Sequence, residues 1–273
     1  MNVQDYDVIV AGFGNAAQTA AFAAYETGAR VLVLEKAPQG KRGGNTWFSH
    51  GAQFRHVHNG IADVKPLLPH VPEKEWEKID LSPYTKDEFY SDVMRVTRGR
   101  SVPELAELLV NESYPTVKWM RESGIQWEIL YSAGVPENGR FRWHHGSSFI
   151  HSKDGGAGLV EMWHRILQNK GVEIRFGTAA TRLLTDDKGR VYGVVAQNSE
   201  GFTEIRCKGL VLCKNLRRRP GKVLGEIGRD NNVLYVQSCS YVFNAMISPH
   251  GVFLDRRRQP VGDLQHNDQH CDR

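Results

Sequence analysis

Long apolar runs are missing from this chain. A membrane-crossing helix needs about twenty consecutive apolar residues, whereas the first apolar stretch, Val8-Ile9-Val10-Ala11, meets glycine at once. Met1-Asn2-Val3-Gln4 lacks the basic residues that open a secretory leader. The four cysteines, Cys207, Cys213, Cys239 and Cys271, form no CxxC pair. That argues against a zinc ribbon or a disulfide framework and for a reducing, cytoplasmic setting without direct membrane insertion. No P-loop, nucleophile elbow or internal repeat is present. Charge of one sign does not dominate: 35 Lys and Arg stand against 31 Asp and Glu, a net +4. This mild excess suits an anionic ligand without arguing for nucleic acid. With 273 residues, 40% of them hydrophobic, the chain can bury a core in one or two domains.

What is present is concentrated near the start. Asp7-Val8-Ile9-Val10-Ala11 leads into Gly12-Phe13-Gly14-Asn15-Ala16-Ala17, an alanine-rich stretch runs to Gly28, and Val31-Leu32-Val33-Leu34 ends on Glu35. The order reads as strand, glycine turn, helix, strand and acidic residue, a right-handed βαβ unit. Each part has a task in holding a dinucleotide. Gly12 permits a tight turn, Gly14 lets a diphosphate approach the backbone, and Ala17 lets helix and strand pack closely. The helix N-terminus offers N–H groups and a positive dipole end. Glu35 can accept hydrogen bonds from a ribose diol, which disfavours a 2′-phosphate and leaves FAD or NAD. Gly43-Gly44-Asn45-Thr46 follows directly, and its glycines again allow close backbone approach. That second loop and a β-meander expected over 172–207 favour FAD over NAD.

Elsewhere the pattern is weaker. Residues 53–100 hold Pro66, Pro69, Pro72 and Pro83 among many charges and read as an irregular surface excursion with short helical turns, continuing to about 130. Ser101-Val102-Pro103-Glu104 reads as a capping box, followed by one helix and then a second over 115–123. Residues 131–158 read as loop. Leu159, Met162, Trp163, Ile166 and Leu167 recur at helical spacing, closed by Gly171. Strands are expected at 172–176, 180–184, 191–196, 202–207 and 209–212, with Asp186-Asp187-Lys188-Gly189 as a hairpin turn. After Cys213 the composition turns basic, at Lys214 to Arg219 and again at Arg256-Arg257-Arg258. Only 233–242 keeps strand character there.

These motifs resemble the FAD-dependent fumarate reductase/succinate dehydrogenase flavoprotein family, with the tricarballylate dehydrogenase group the most similar branch. The resemblance rests on the segment 7–17, on Leu34-Glu35-Lys36 and on Arg42-Gly43-Gly44-Asn45-Thr46. It continues through Arg95-Val96-Thr97-Arg98-Gly99-Arg100, Gly155-Gly156-Ala157-Gly158-Leu159-Val160 and Gly189-Arg190-Val191-Tyr192-Gly193-Val194, covering about residues 5–213. It implies an α/β, Rossmann-like, three-layer FAD-binding fold with a β-meander, incomplete and without a capping domain. It also implies a small di- or tricarboxylate substrate, an unidentified electron acceptor, and hydride transfer through flavin N5. Gly12, Gly14, Asn15, Ala16 and Ala17 would surround the diphosphate. Glu35 and Lys36 would meet the adenosine ribose, and Gly43, Gly44, Asn45 and Thr46 the phosphate and ribityl region. His50 and Gly51 would lie by the isoalloxazine, where the family has a glycine pair, and Ala180 would offer backbone to the adenine.

The family continues from its last strand into a glycine pair touching the flavin. Here Leu212-Cys213-Lys214-Asn215 stands instead. The expectation is an N-terminal part of an FAD-binding domain over 1–213 and an atypical basic tail over 214–273. The preferred explanation is truncation or a frame shift after about residue 213; the other is a natural short form. Two further readings stay open: a flavin-binding fragment without turnover, and an NAD-dependent dehydrogenase. The family's substrate-binding residues have no counterpart here, so the catalytic residues stay unassigned, with His151 a weak candidate near the flavin. His56 and His58 read as polar loop residues rather than metal ligands, and Trp143 and Trp163 as packing residues. The arginine runs read as a solvated tail.

Overall fold

A computed structural model describes residues 4–49, 52–213 and 233–235. In chain order the elements begin with β1 (Gln4–Ala11), α1 (Asn15–Glu26), β2 (Val31–Leu34), α2 (Gly44–Trp47) and β3 (Gln53–Phe54). They continue with α3 (Ile61–Val64), α4 (Glu73–Trp76), β4 (Ile79–Leu81), α5 (Lys86–Val96) and α6 (Pro103–Ser123). Then come β5 (Trp127–Ile129), β6 (Gly134–Glu137), β7 (Arg140–Trp143), β8 (Ile150–Ser152) and α7 (Gly155–Asn169). The last are β9 (Glu173–Arg175), β10 (Ala179–Thr185), β11 (Val191–Asn198), β12 (Gly201–Leu212) and β13 (Val233–Tyr235).

A seven-stranded sheet organises the molecule. β12, β1, β2 and β9 run parallel in that order, with β13 on the other side of β12. All four residues of β2 are buried, as a strand covered on both faces must be. Its side chains alternate between the two layers. Val31 and Val33 pack with α1 and α7, while Leu32 and Leu34 pack with Val191, Val194 and Ala196 of the meander. Helices, parallel sheet and meander thus make the three layers. Ala16, Ala17, Ala20, Ala21, Ala23 and Ala24 are all buried, and their small side chains let α1 lie close between sheet and α7.

β12 is one strand, not the two expected over 202–207 and 209–212. Its first half pairs antiparallel with β11, through Ile205 and Arg206, and its second half parallel with β1, from Ile205 to Leu212. Changing partner half-way lets a single strand belong to meander and parallel sheet alike. The segment expected first in the meander, 172–176, is instead the parallel strand β9, beside β2. The hairpin turn at 186–189 is present, closed by Asp186 N–H on the Arg190 carbonyl at 2.9 Å.

The excursion departs further from expectation. It is built into the core rather than laid on the surface: Phe54, Leu67, Leu68, Trp76 and Ile79 are buried. Residues 131–158 are not loop. They hold β6, β7, β8 and the start of α7, in two three-stranded sheets ordered β3-β8-β5 and β4-β7-β6. The two helices expected around residue 110 are one 21-residue helix, α6, with Pro115 inside it. Pro115 removes one N–H donor, yet the helix continues because Leu109, Val110, Ser113, Val117 and Met120 form one buried face. Nor does Ser101 cap it: the N-cap is Val102, with Pro103 at the first helical position. The capping box is Thr85 with Glu88, which opens α5. Among the described residues no helix is long and apolar enough to cross a membrane.

Candidate functional site

The two glycine loops meet at the N-terminus of α1. Gly12 has φ +116°, and a Cβ there would stand 2.5 Å from the Cys213 carbonyl oxygen. Conformation and space both demand glycine. Gly14 is the N-cap of α1 and brings no capping side chain. The cap comes from the second loop, where Thr46 Oγ1 accepts the Asn15 backbone N–H at 3.0 Å. A Cβ on Gly14 would lie 3.2 Å from that hydroxyl oxygen and 3.5 Å from the Gly43 carbonyl. The space it leaves open is therefore the seam between the loops. Gly43, at φ +98°, turns the chain into α2 while leaving room for Val160 of α7. Gly44 and Asn45 are exposed.

Glu35 directly follows β2 and is buried. Its Oε1 accepts the Ala37 N–H at 2.7 Å, and its backbone carbonyl accepts the Thr178 N–H at 2.9 Å. The Ala37 carbonyl in turn accepts the Gly177 N–H at 2.9 Å. This brings the chain leading to Ala180 beside the carboxylate. Lys36 is exposed. His50 and Gly51 lie outside the described residues, as does the tail except for β13.

α7 holds the site from behind. Gly156 lies so close to the second loop that a Cβ would fall 1.9 Å from the Thr46 carbonyl oxygen, and its N–H donates to the Ser49 carbonyl at 3.0 Å. Gln18 of α1 donates from Nε2 to the Val160 carbonyl at 3.1 Å, and Trp163 donates from Nε1 to Asn15 Oδ1 at 3.1 Å. Arg42 pairs with Glu161. His164 is buried edge-on against Phe13 and Phe176. Burial and the nearby Arg42 push its imidazole below the usual range. No sequence signal marked Trp163 or Gln18 as site residues, because their partners lie 148 and 142 positions away.

The remaining candidates are dispersed. His151, on β8, lies 3.8 Å from Glu128. His145 pairs with Glu88 at 2.8 Å, beside a cavity of about 280 Å³ lined by Asp87, Glu88, Ser91, Asp92 and His145. His56 and His58 are buried with ring centroids 5.6 Å apart. Burial pushes each imidazole down to about 4. They lie on the irregular connection between β3 and α3, as expected of loop residues, but are buried rather than solvated, and no group of three metal-ligating side chains occurs among the described residues. Trp143 and Trp163 are packing residues, almost fully buried. Cys207 and Cys213 are free thiols, pushed by burial up to about 11 and about 12.

This architecture, with paired glycine loops at one helix N-terminus and an acidic residue closing the second strand, defines a dinucleotide-binding three-layer α/β protein. A family model described as FAD dependent oxidoreductase (DAO) matches residues 7–260, and the chain belongs to that family. It is 26% identical over 207 residues to a probable fumarate reductase of Shewanella frigidimarina (strain NCIMB 400), covering 75% of this chain and 31% of that protein. It is 27% identical over 194 residues to a vinyl phenol reductase of Lactiplantibacillus plantarum (strain ATCC BAA-793 / NCIMB 8826 / WCFS1), covering 71% and 34%. Among solved structures, the open conformation of a flavocytochrome c3 fumarate reductase shares the fold. There the TM-score is 0.59 at 22% identity, over 78% of this chain and 34% of that one. The chain spans about a third of the length of the curated relatives it matches. FAD is the family's cofactor, and the glycines fit a Gly-rich cofactor loop in their chemistry: a Cβ at Gly12, Gly14 or Gly43 would press on Cys213, Thr46 or Val160, so glycine is what lets the two loops close together at the N-terminus of α1.

Proposed function

We propose that this chain binds FAD and serves an oxidoreductase that moves a hydride to or from an adjacent carbon pair of a small di- or tricarboxylate, of the fumarate/succinate or tricarballylate kind. The observation that carries the reading is the junction of the two glycine loops through Asn15 N–H and Thr46 Oγ1, with the Glu35 carboxylate at the end of β2. In this reading Gly12, Gly14, Asn15, Ala16 and Ala17 receive the diphosphate at the positive end of α1. Glu35 and Lys36 bind the ribose, and Gly43, Gly44, Asn45 and Thr46 serve the phosphate and ribityl chain. Ala180 lends backbone to the adenine, and His50 and Gly51 lie by the isoalloxazine. When bound, FAD supplies hydride transfer at its N5 position, and the protein supplies binding, orientation and electrostatics. His151 is the one histidine offered for a substrate carboxylate, and the electron acceptor comes from outside the chain. The free thiols Cys207 and Cys213 suit a reducing cytoplasm.

A second reading is flavin binding without turnover. It is favoured by Leu212-Cys213-Lys214-Asn215, which stands where the resemblance expects a glycine pair against the flavin. One series of measurements separates the two. The full chain, saturated with FAD and freed of excess, should stay yellow and gain thermal stability, and Glu35→Ala should weaken flavin retention. A colourless protein with no thermal shift overturns the proposal, and one that binds NAD instead replaces it. Reduction of a dye acceptor with succinate or tricarballylate, or oxidation of a reduced dye with fumarate, then supports turnover over binding alone.

A further inference from the structure

The second glycine loop is fastened to α7 at both ends. At its exit the Gly156 N–H donates to the Ser49 carbonyl at 3.0 Å. Under its start Val160 fills the space that a Cβ on Gly43 would need, with Cγ2 2.9 Å from that position. At its entry stands Arg42, the residue before Gly43. Its guanidinium forms a fork: Nη1 donates to the Gln39 carbonyl in the turn before the loop, and Nη2 meets Glu161 Oε1 on α7. A planar guanidinium can grip two acceptors in fixed directions, as a lysine's point charge cannot.

The two anchors are unlike. The exit joins backbone to backbone, at a glycine with no room for a side chain. The entry depends on one side-chain pair, and the backbone beside it holds little shape of its own. Gly43 at φ +98° and Gly44 at φ +52° are consecutive glycines, the residue type with most conformational freedom to lose. Nor is Arg42 free to serve as a ligand itself. Its side chain is 14% exposed, and both Nη groups are engaged. Its Nε is shut from solvent with no hydrogen-bond partner among the described residues. Turning outward would break the Glu161 pair.

We propose that Arg42 is a positioning residue for the FAD site: through its fork on Gln39 and Glu161 it sets the entry of the second glycine loop against α7. It thereby presents Gly43, Gly44, Asn45 and Thr46 to the phosphate and ribityl chain. The role rests on the FAD site proposed above. Glu161 is 39% exposed, so solvent screens the pair, and its loss should weaken FAD binding by about fivefold.

The test is FAD titration of the full chain as wild type, Arg42→Ala, Glu161→Gln and the double variant, with the melting temperature of each ligand-free protein read alongside. Each single variant is expected to weaken FAD about fivefold, and the double variant to bind no worse than either, because both changes break one pair. This coupling in affinity is the signature that a purely structural pair would not produce. If Arg42→Ala does not fold, Glu161→Gln keeps the side chain's shape at a half-exposed position and still reports the loss. Melting temperatures that couple while FAD affinity stays at wild type overturn the role, as do affinity losses that multiply in the double variant. Tighter FAD binding by Glu161→Gln overturns it too, since Arg42 would then be a direct ligand that Glu161 withholds. A wild type that takes up no FAD overturns the site itself, and this role with it.

Discussion

The βαβ unit with α7 and the excursion between β3 and β8 share one apolar core but are held in different ways. In the first, a seven-stranded sheet and two helices repeat one rule: small or branched apolar residues alternate between faces, and backbone ladders satisfy the polar groups. In the second the elements are three to four residues long at several points, too short to sustain themselves. Large aromatic rings hold them instead. Trp143 meets Phe149 at 4.9 Å and Tyr131 at 6.0 Å, Phe54 meets Trp127 at 4.7 Å, and Trp76 meets Phe149 at 6.3 Å. Indole N–H groups then anchor backbone between elements, Trp127 on the Val117 carbonyl and Trp143 on the Leu130 carbonyl. Ladders make a rigid frame for the glycine loops, whereas the excursion depends on a few bulky side chains.

The sharpest break should come at Trp143. Truncation to alanine removes a ring with almost no exposed surface and should cost about 3–5 kcal/mol. Amide exchange should rise across β4, β6 and β7 while β1, β2 and β12 stay protected; uniform loss of protection would show the two regions to be one unit. Gly156→Ala attacks the frame. Its Cβ would fall 1.9 Å from a backbone oxygen of the second loop, so the loop must move, at about 3 kcal/mol. Flavin retention should fall with it, measured as absorbance kept after desalting.

A pH series sharpens the comparison, because the excursion carries two of the three buried histidines described, and the two whose imidazoles are pushed down to about 4. The folded values of about 4 for His56 and His58 lie below the ordinary 6.5. The unfolded chain therefore binds protons that the native state refuses. This contribution to stability is complete above 6.5 and is lost as pH falls from 6.5 to 4, at up to about 1.4 kcal/mol per pH unit for each imidazole. Urea unfolding of His56→Gln between those values should show a shallower acid-side fall than wild type; an unchanged slope would remove His56 from the account. The smallest effect is at the loop junction. Thr46→Val deletes the hydroxyl that caps α1 and should cost about 1 kcal/mol, read as a lower melting temperature of the ligand-free chain.

How much of this was readable beforehand follows the same divide. β1, α1, β2, the meander and the helix around Trp163 could be read because their signals are local: an apolar run stopped by Gly12, alanines at helical spacing, an Asp186-Asp187-Lys188-Gly189 turn. The excursion misled because its prolines and charges resemble a surface loop, while the residues that bury it, Phe54, Leu67, Trp76 and Trp143, are spaced without a period. Pro115 looked like a helix boundary and is not one, since the buried face of α6 outweighs one lost donor. Ser101 looked like a cap, but Pro103 sets the start one residue later.

The glycine positions, the acidic residue after β2 and the small-residue helix belong to the amino-acid order itself, since a positive φ and a close backbone approach demand glycine and a parallel strand demands apolar side chains on both faces. Which hydroxyl caps α1, what holds the Asn15 amide, and why Gly156 tolerates no side chain were decided only when α7 packed across both loops. Those contacts join residues 31 to 148 positions apart, and no local pattern encodes an encounter that chain folding alone brings about.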